Sequence, residues 1–172
     1  MPSHSATDDT ATARFRDPRS TEYDFLGSIL VRCPGCEGAA RVVPAPEHSA
    51  PGGRILFRPR RLVCGGCGLS RTWDGRCVSL NRGTHHPATD PYFGAPLWLQ
   101  TETRHGWLWA YNHEHLDLIR RFVRASLRES APRYDTGQRM TLVARLPVWI
   151  KQAKNRAEVL RAIGRIHAHA IV

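Results

Sequence analysis

Two short motifs decide the fold of this chain: Cys33-Pro34-Gly35-Cys36 and Cys64-Gly65-Gly66-Cys67. A spacer of 27 residues, 37–63, separates them. Two residues between a pair of cysteines allow a tight turn to point both sulfurs at one ion, and two such turns complete a tetrahedral four-sulfur shell. In an intracellular chain of this size, paired C-x-x-C motifs favour a metal site over disulfides. The sequence therefore predicts a metal site formed by Cys33, Cys36, Cys64 and Cys67.

Zinc is the expected ion, with one Zn²⁺ per chain, and rubredoxin-type iron is the alternative that four thiolates also suit. Four thiolates leave no open position for water or substrate, so we expect the metal to be structural and not catalytic. The fifth cysteine, Cys77, lies ten residues beyond Cys67. We expect it to be a small buried hydrophobic residue.

Short runs of β-branched and aromatic residues flank both cysteine pairs, which is typical of strands joined by turns. We expect Gly35 and Gly68 to adopt conformations that a side chain would resist. The runs are Ser28–Arg32, Ala39–Val43, Arg54–Arg58, Arg61–Val63 and Leu69–Trp73.

With these strands, Arg32-Cys33-Pro34-Gly35-Cys36 and Val63-Cys64-Gly65-Gly66-Cys67-Gly68 resemble the motifs of the zinc-ribbon superfamily. The resemblance covers roughly residues 28–80 and implies a structural zinc on a small β-sheet. The spacer is longer than the ribbon pattern of about 15–20 residues, which suggests an extended hairpin or an inserted loop. Zinc ribbons serve in transcription factors, helicase inserts, ribosomal proteins and pure scaffolds, so the resemblance leaves the function open.

The remaining segments complete an α+β protein in which a four-cysteine zinc ribbon joins a Trp-rich β-hairpin packed with two C-terminal helices. We expect a flexible N-terminal tail over residues 1–27, the ribbon over 28–80 and a connecting loop over 81–96. Residues 97–172 would form the hairpin and two-helix region, packed on the ribbon as one unit. The connecting loop is predicted from its three prolines and two glycines.

Two strands, Leu97–Thr103 and Gly106–Tyr111, are predicted to form the hairpin. Trp107, Trp109 and Tyr111 alternate along the second strand and so share one face. This face either packs in the core or offers Trp107 as a stacking surface for the bases of a single strand.

The two helices are predicted from apolar residues at helical spacing. Asn112 would cap the first, and Pro147 would begin the second after a loop over 130–146. The second helix carries lysines and arginines opposite its apolar side, a pattern typical of a solvated face and also of a phosphate-binding one.

The net charge of +10 and the pI near 10.3 make nucleic acid the leading partner class, with DNA and RNA undistinguished. The first 27 residues contribute none of the excess, since they carry three arginines against five acids. The candidate phosphate-binding residues are Arg54, Arg58, Arg60, Arg61, Lys151, Lys154, Arg161 and Arg165.

Several function classes are excluded by what the sequence lacks. No apolar run reaches the roughly 18 residues of a membrane span, and no secretory signal is present, so we expect a cytoplasmic protein without a membrane partner. The phosphate-loop, dinucleotide and nucleophile-elbow motifs are missing, and no acidic pair suggests a two-metal nuclease. We therefore expect no enzyme, but a non-catalytic nucleic-acid-binding protein with a regulatory or accessory role. The alternative is a protein–protein adaptor, or a subunit of a larger complex, whose zinc is purely structural.

Overall fold

The computed structural model describes residues 14–46, 55–73, 75, 77–81, 83–129 and 140–170. These residues form an α+β fold with antiparallel strands and packed helices. The strands are β1 (Arg14–Arg16), β2 (Ile29–Arg32), β3 (Ala39–Pro44), β4 (Arg60–Val63), β5 (Ser70–Trp73), β6 (Leu99–Thr103), β7 (Gly106–Ala110) and β8 (Leu127–Glu129). The helices are α1 (His113–Arg124), α2 (Leu142–Arg145), α3 (Val148–Lys151) and α4 (Arg156–Ala170), with 3₁₀ turns at Glu22–Phe25, Ile55–Phe57 and Ala153–Asn155.

The largest sheet is antiparallel and has the strand order β2-β3-β4-β5. Val42 lies opposite Ile29 on one side and Leu62 on the other, and all three side chains are fully buried. Because successive residues of a strand point to opposite faces, this register places one apolar row on the core side of the sheet. The turns between β2 and β3 and between β4 and β5 contain the two C-x-x-C motifs.

Backbone hydrogen bonds connect the outer edge of β2 to the second half of the chain. The Leu30 amide donates to the Tyr111 carbonyl at 2.8 Å, and the Trp98 amide donates to the Leu30 carbonyl at 3.0 Å. These bonds satisfy backbone groups that a free edge strand would expose. They also fix the β6–β7 hairpin beside the four-stranded sheet.

The β6–β7 turn approaches the loop before it closely. A Cβ at Gly106 would lie 2.5 Å from the Thr84 carbonyl oxygen, and its φ is +123°. The next amide, of Trp107, donates to the same Thr84 carbonyl at 2.7 Å. Only glycine combines this conformation with such a close approach.

The α1 helix begins at the predicted cap. Asn112 is extended, and its side chain accepts a hydrogen bond from the His115 amide at 2.9 Å. The same side chain donates to the carbonyls of Phe25 and Ser28, both at 3.0 Å. Asn112 therefore caps the helix and also holds the preceding chain against it.

The prediction of a flexible tail over residues 1–27 is wrong for residues 14–27. Strand β1 pairs in parallel with β8, and Phe15 packs edge-on against Phe122 of α1 with ring centroids 5.4 Å apart. Phe25 and Leu26 are buried as well. These apolar residues are too sparse to show a periodic pattern, yet they cover a helix about 100 residues away in the chain. Residues 1–13 lie outside the described part of the chain.

The C-terminal segment is divided into α3 and α4, whereas the sequence predicts a single helix from Pro147. Gln152 is extended, with φ −74° and ψ 128°, and separates α3 from α4. The buried Asn155 side chain stabilises the break, because it donates to the Trp149 carbonyl at 2.9 Å. The predicted loop also contains α2, although residues 130–139 lie outside the described part. Among the helices that the structure describes, none has the length and hydrophobicity needed to cross a bilayer.

Candidate metal centre and basic surface

The two cysteine turns share one backbone geometry. In the first, the Cys33 amide donates to the Gly38 carbonyl at 2.8 Å and the Glu37 amide donates to the Cys33 carbonyl at 2.9 Å. In the second, the Cys64 amide donates to the Leu69 carbonyl at 2.9 Å, and the corresponding return bond, 3.0 Å long, again ends on the carbonyl of the first cysteine. Each turn is therefore closed by two backbone hydrogen bonds in the same pattern.

The structure brings the four predicted cysteines together. The Sγ atoms of Cys33, Cys36, Cys64 and Cys67 all lie within 4.8 Å of one another. The Cys33–Cys67 separation is 3.7 Å and the Cys36–Cys64 separation is 3.6 Å. Four sulfurs at 2.3 Å from a central zinc would be about 3.8 Å apart in a regular tetrahedron. The cluster therefore has the size and donor set that can hold a metal ion such as zinc.

The sulfurs differ in their exposure, and the pKa values of Cys36 and Cys64 are shifted in opposite directions. Cys33 and Cys64 are buried, whereas Cys36 and Cys67 are exposed. Backbone amides, that of Cys67 first, lower the pKa of Cys64 to about 6. The Gly38 amide lowers the pKa of Cys36 as well, but hydrogen bonds to the neighbouring thiols raise it to about 12. A bound cation would favour the thiolate form of Cys36.

Two minor expectations at this site are wrong. Gly35 is outside the left-handed region, and a Cβ there would make only ordinary contacts, the nearest at 3.5 Å from the Cys67 sulfur. Cys77 is exposed and lies outside the regular elements, so it is not a buried hydrophobic residue. Its sulfur is not part of the four-sulfur cluster.

The first group of candidate phosphate-binding residues does not form one surface. Arg58 is exposed, and Arg61 is half-buried with its guanidinium donating to the Ser70 hydroxyl at 3.0 Å. Arg54 lies outside the described residues. Arg60 and Arg61 are neighbours in β4, so their side chains leave opposite faces of the sheet.

The prediction that Arg60 binds phosphate is wrong, because its side chain is 2% exposed. Its guanidinium donates to the Leu26 carbonyl at 2.7 Å and lies 4.7 Å from the centre of the Tyr92 ring. The signal was present in the sequence, since period-two alternation puts Arg60 on the same face as the apolar Leu62.

Three residues of the second group meet in one groove. Lys154, Arg161 and Arg165 are exposed and line a depression of about 660 Å³ between the end of β6 and α4. Lys151 does not reach it, since it is half-buried and donates to the Ala144 carbonyl at 2.8 Å. We call this feature the basic groove; its charged residues are Arg104, Lys154, Arg161, Arg165, Glu102 and Glu158.

Sequence reasoning missed Arg104, which the hairpin turn carries to the groove. Its Nε lies 2.8 Å from a carboxylate oxygen of Glu158, and His105 Nε2 lies 3.5 Å from the same oxygen. A basic residue in a turn has no periodicity that would connect it to α4, so only the tertiary structure shows the connection.

A second cavity, of about 690 Å³, lies on the other side of the hairpin turn. We call it the aromatic cavity, after six of its lining residues: Trp107, Trp109, Trp149, His85, His105 and His115. Of the described tryptophans, Trp73, Trp98, Trp109 and Trp149 pack against the buried core. Trp107 is half-buried and is not among the residues that pack there.

His115 lies at the inner wall of the aromatic cavity and is 3% exposed. Burial lowers its pKa to about 3, so the ring is neutral at physiological pH. Its Nδ1 accepts the Tyr111 amide at 3.2 Å, which leaves the ring proton on Nε2. The histidine is therefore a polar but uncharged member of the wall.

No family model matches the chain, and no curated protein or solved structure is significantly similar to it.

Proposed function

We propose that this chain is a non-catalytic nucleic-acid-binding protein, in which one structural Zn²⁺ stabilises the sheet and the basic groove contacts phosphates. The observation that carries the proposal is the convergence of Lys154, Arg161 and Arg165 with Arg104 from the hairpin turn. Arg161 and Arg165 are four residues apart on α4 and so share one helical face.

The proposed role of the zinc follows from the position of the cysteines. One pair lies between β2 and β3 and the other between β4 and β5, so a shared ion would join the two hairpins at one end of the sheet. Four sulfurs complete a tetrahedral shell, which leaves no position for a substrate. The resemblance to the zinc ribbon implies the same arrangement. The proposed role of the metal is therefore to stabilise the fold.

The charge of the groove supports phosphate as the ligand. Four basic side chains face two acidic ones, Glu102 and Glu158. Glu158 is already paired with Arg104, and the Arg165 guanidinium donates to the Glu102 backbone carbonyl at 3.2 Å. Arg161 and Lys154 remain exposed at the surface of a chain whose net charge is +10. Such a surface attracts the phosphate backbone without reading sequence.

A protein–protein adaptor is the second candidate function, and strand β5 favours it. β5 is the last strand of the four-stranded sheet, and its residues Ser70, Arg71 and Thr72 are exposed. Phe57, in the 3₁₀ turn before β4, is 47% exposed. An edge strand beside an exposed aromatic ring can accept a strand from a partner protein.

Salt dependence of oligonucleotide binding tests the proposal. If the groove residues contact phosphates, the triple variant Lys154→Ala/Arg161→Ala/Arg165→Ala should lower the log–log slope of affinity against salt. The decrease is about 0.7 per lost contact on a single strand and about 0.9 on duplex. Fluorescence anisotropy at several salt concentrations measures the slope.

The matched control removes three exposed arginines from elsewhere, Arg41, Arg71 and Arg124. It carries the same net charge as the groove variant and should keep most of the slope. An equal decrease in both variants would show that only total charge matters. Absence of binding by the wild-type protein at low salt would eliminate the nucleic-acid proposal and favour the adaptor.

A further inference from the structure

The aromatic cavity has the dimensions and lining of a site for a planar ring. Its volume of about 690 Å³ lies within the usual range for small-molecule sites, and its walls are predominantly apolar and aromatic. It is bounded by the β6–β7 hairpin, α1, and the segment that contains α2 and α3. Trp149 of α3 stacks on His105 of the hairpin turn, with ring centroids 5.5 Å apart and planes at 23°. The lining of the cavity thus includes a stacked pair of aromatic rings.

Trp107 provides the surface on which a ligand ring would stack. It faces this cavity, is half-buried and does not pack on the core that holds the other four tryptophans. Part of its indole is therefore accessible from the cavity. Base–aromatic stacking uses accessible ring faces in proteins that bind single strands.

Two polar side chains of the wall, Asn81 and Glu22, are already bonded within the protein. The Asn81 side chain already donates to and accepts from the backbone of Thr89, at 2.7 and 3.1 Å. Glu22 accepts the Tyr111 hydroxyl at 2.6 Å and lies 3.6 Å from Arg145. Asn81 and Glu22 would therefore contribute little to base discrimination, and stacking, which every base permits, would provide most of the recognition.

The aromatic cavity and the basic groove are lined by consecutive residues of the hairpin turn. His105 lines the cavity and Arg104 lines the groove, and both side chains contact Glu158. Consecutive Cα atoms are only about 3.8 Å apart, so the two sites meet at the hairpin turn. A nucleotide has the same two-part chemistry, since it joins an aromatic ring to a phosphate through one sugar.

We infer that the aromatic cavity receives one unstacked base of a single-stranded nucleic acid, stacked on Trp107, while the flanking phosphates lie in the basic groove. This inference rests on the proposed function and adds to it a preference for single strands. A base paired and stacked within a duplex cannot enter the cavity unless it is first unpaired and extruded.

The experiment compares two polymers of equal length and charge: a single-stranded oligonucleotide and the same sugar–phosphate chain with every base removed. The wild-type protein should bind the oligonucleotide more tightly than the abasic chain. Trp107→Ala should lose roughly 5- to 150-fold in affinity for the oligonucleotide, as expected for one lost stacking contact, with little change for the abasic chain. Its salt slope should be unchanged, because no phosphate contact is removed.

Two further variants keep the test independent of folding. Trp107→Phe retains a ring and should keep most of the preference for bases. Trp98→Phe is the matched control, since Trp98 packs on the core and lies beside Arg32, outside the cavity. The oligonucleotide should quench the tryptophan fluorescence of the wild-type protein. This change should be smaller in Trp107→Phe, in which Trp109 and Trp149 still line the cavity, and undiminished in Trp98→Phe.

The failures of the two proposals are distinguishable. Equal affinity for the oligonucleotide and the abasic chain, with a steep salt slope, would overturn the cavity inference and leave phosphate binding in the groove intact. A preference for bases that persists in Trp107→Ala would also overturn it. Absence of binding to both polymers at low salt would overturn the proposed function together with the inference.

Discussion

Glu37 and Gly68 occupy equivalent positions, each directly after the second cysteine of a pair, and both adopt the left-handed backbone conformation. Their φ angles are +61° and +75°. In both turns the amide of this residue donates to the carbonyl of the first cysteine. The two turns therefore demand the same backbone geometry, but only the second has the residue that adopts it without strain.

Glu37→Gly should stabilise the protein, by up to about 1 kcal/mol after the greater chain entropy of glycine is included. Gly68→Ala should destabilise it by about 1–2 kcal/mol, since a left-handed conformation costs a non-glycine residue that much. A Cβ added at Gly68 would meet no atom within 4 Å, so steric contact contributes nothing. Urea unfolding of the two variants measures both values. Changes of the same sign would contradict the equivalence of the turns.

Purified protein should contain close to one equivalent of zinc. Cys33→Ser and Cys64→Ser should lose the metal and unfold, because folding energy in small four-cysteine modules comes largely from the ion. Metal analysis combined with circular dichroism reports both effects.

Cys77→Ser is the internal control. Because Cys77 is exposed and outside the cluster, its substitution should keep the zinc and change stability by less than about 0.5 kcal/mol. Zinc loss in this variant, or a well-folded protein with two disulfides and no metal, would contradict the assigned ligand set.

Arg60→Ala should destabilise the protein by about 3 kcal/mol, because it removes a buried charged hydrogen bond and a cation–π contact with Tyr92. The exposed Arg58→Ala should have little effect on stability. Thermal or urea unfolding compares the two variants. A stability loss for Arg60→Ala as small as that for Arg58→Ala would contradict the structural role of Arg60.

The stability of the protein should decrease as the pH falls below about 6.5. Burial lowers the pKa of His115 from its ordinary 6.5 to about 3, so in that window the unfolded chain binds a proton that the folded protein excludes. The loss approaches about 1.4 kcal/mol per pH unit. His115→Asn removes this contribution, so the difference in unfolding free energy between pH 7 and pH 5 should be smaller in the variant by about 2 kcal/mol. Identical pH profiles would contradict the burial of a neutral imidazole.

How much of the fold could be predicted depends on the range of the interactions involved. The four-cysteine cluster and the Asn112 cap follow from local spacing, and the structure contains both. The burial of Arg60 could also be predicted, because alternation along β4 places it on the same face of the strand as Leu62. By contrast, Phe15 is buried by a helix that begins about 100 residues later, and no local pattern records such a contact.

The same distinction between local spacing and tertiary packing applies to the candidate site. Arg161 and Arg165 can be placed on one face from helical spacing alone. Their meeting with Arg104 depends on how the hairpin packs on α4, and the aromatic cavity depends on how α3 places Trp149 against His105. Such features arise from tertiary packing, so sequence periodicity could identify Trp107 as an aromatic residue of a strand but not as the wall of a cavity.

Photo-crosslinking of a single-stranded oligonucleotide that carries a photoreactive base, followed by mass spectrometry of the attached peptides, locates the bound strand on the protein. We expect attachment within the hairpin segment that contains Arg104 and Trp107 and within the segment that contains Lys154, Arg161 and Arg165. Crosslinks should disappear when salt is raised. Attachment confined to the four-stranded sheet, or none at low salt, would contradict this expectation.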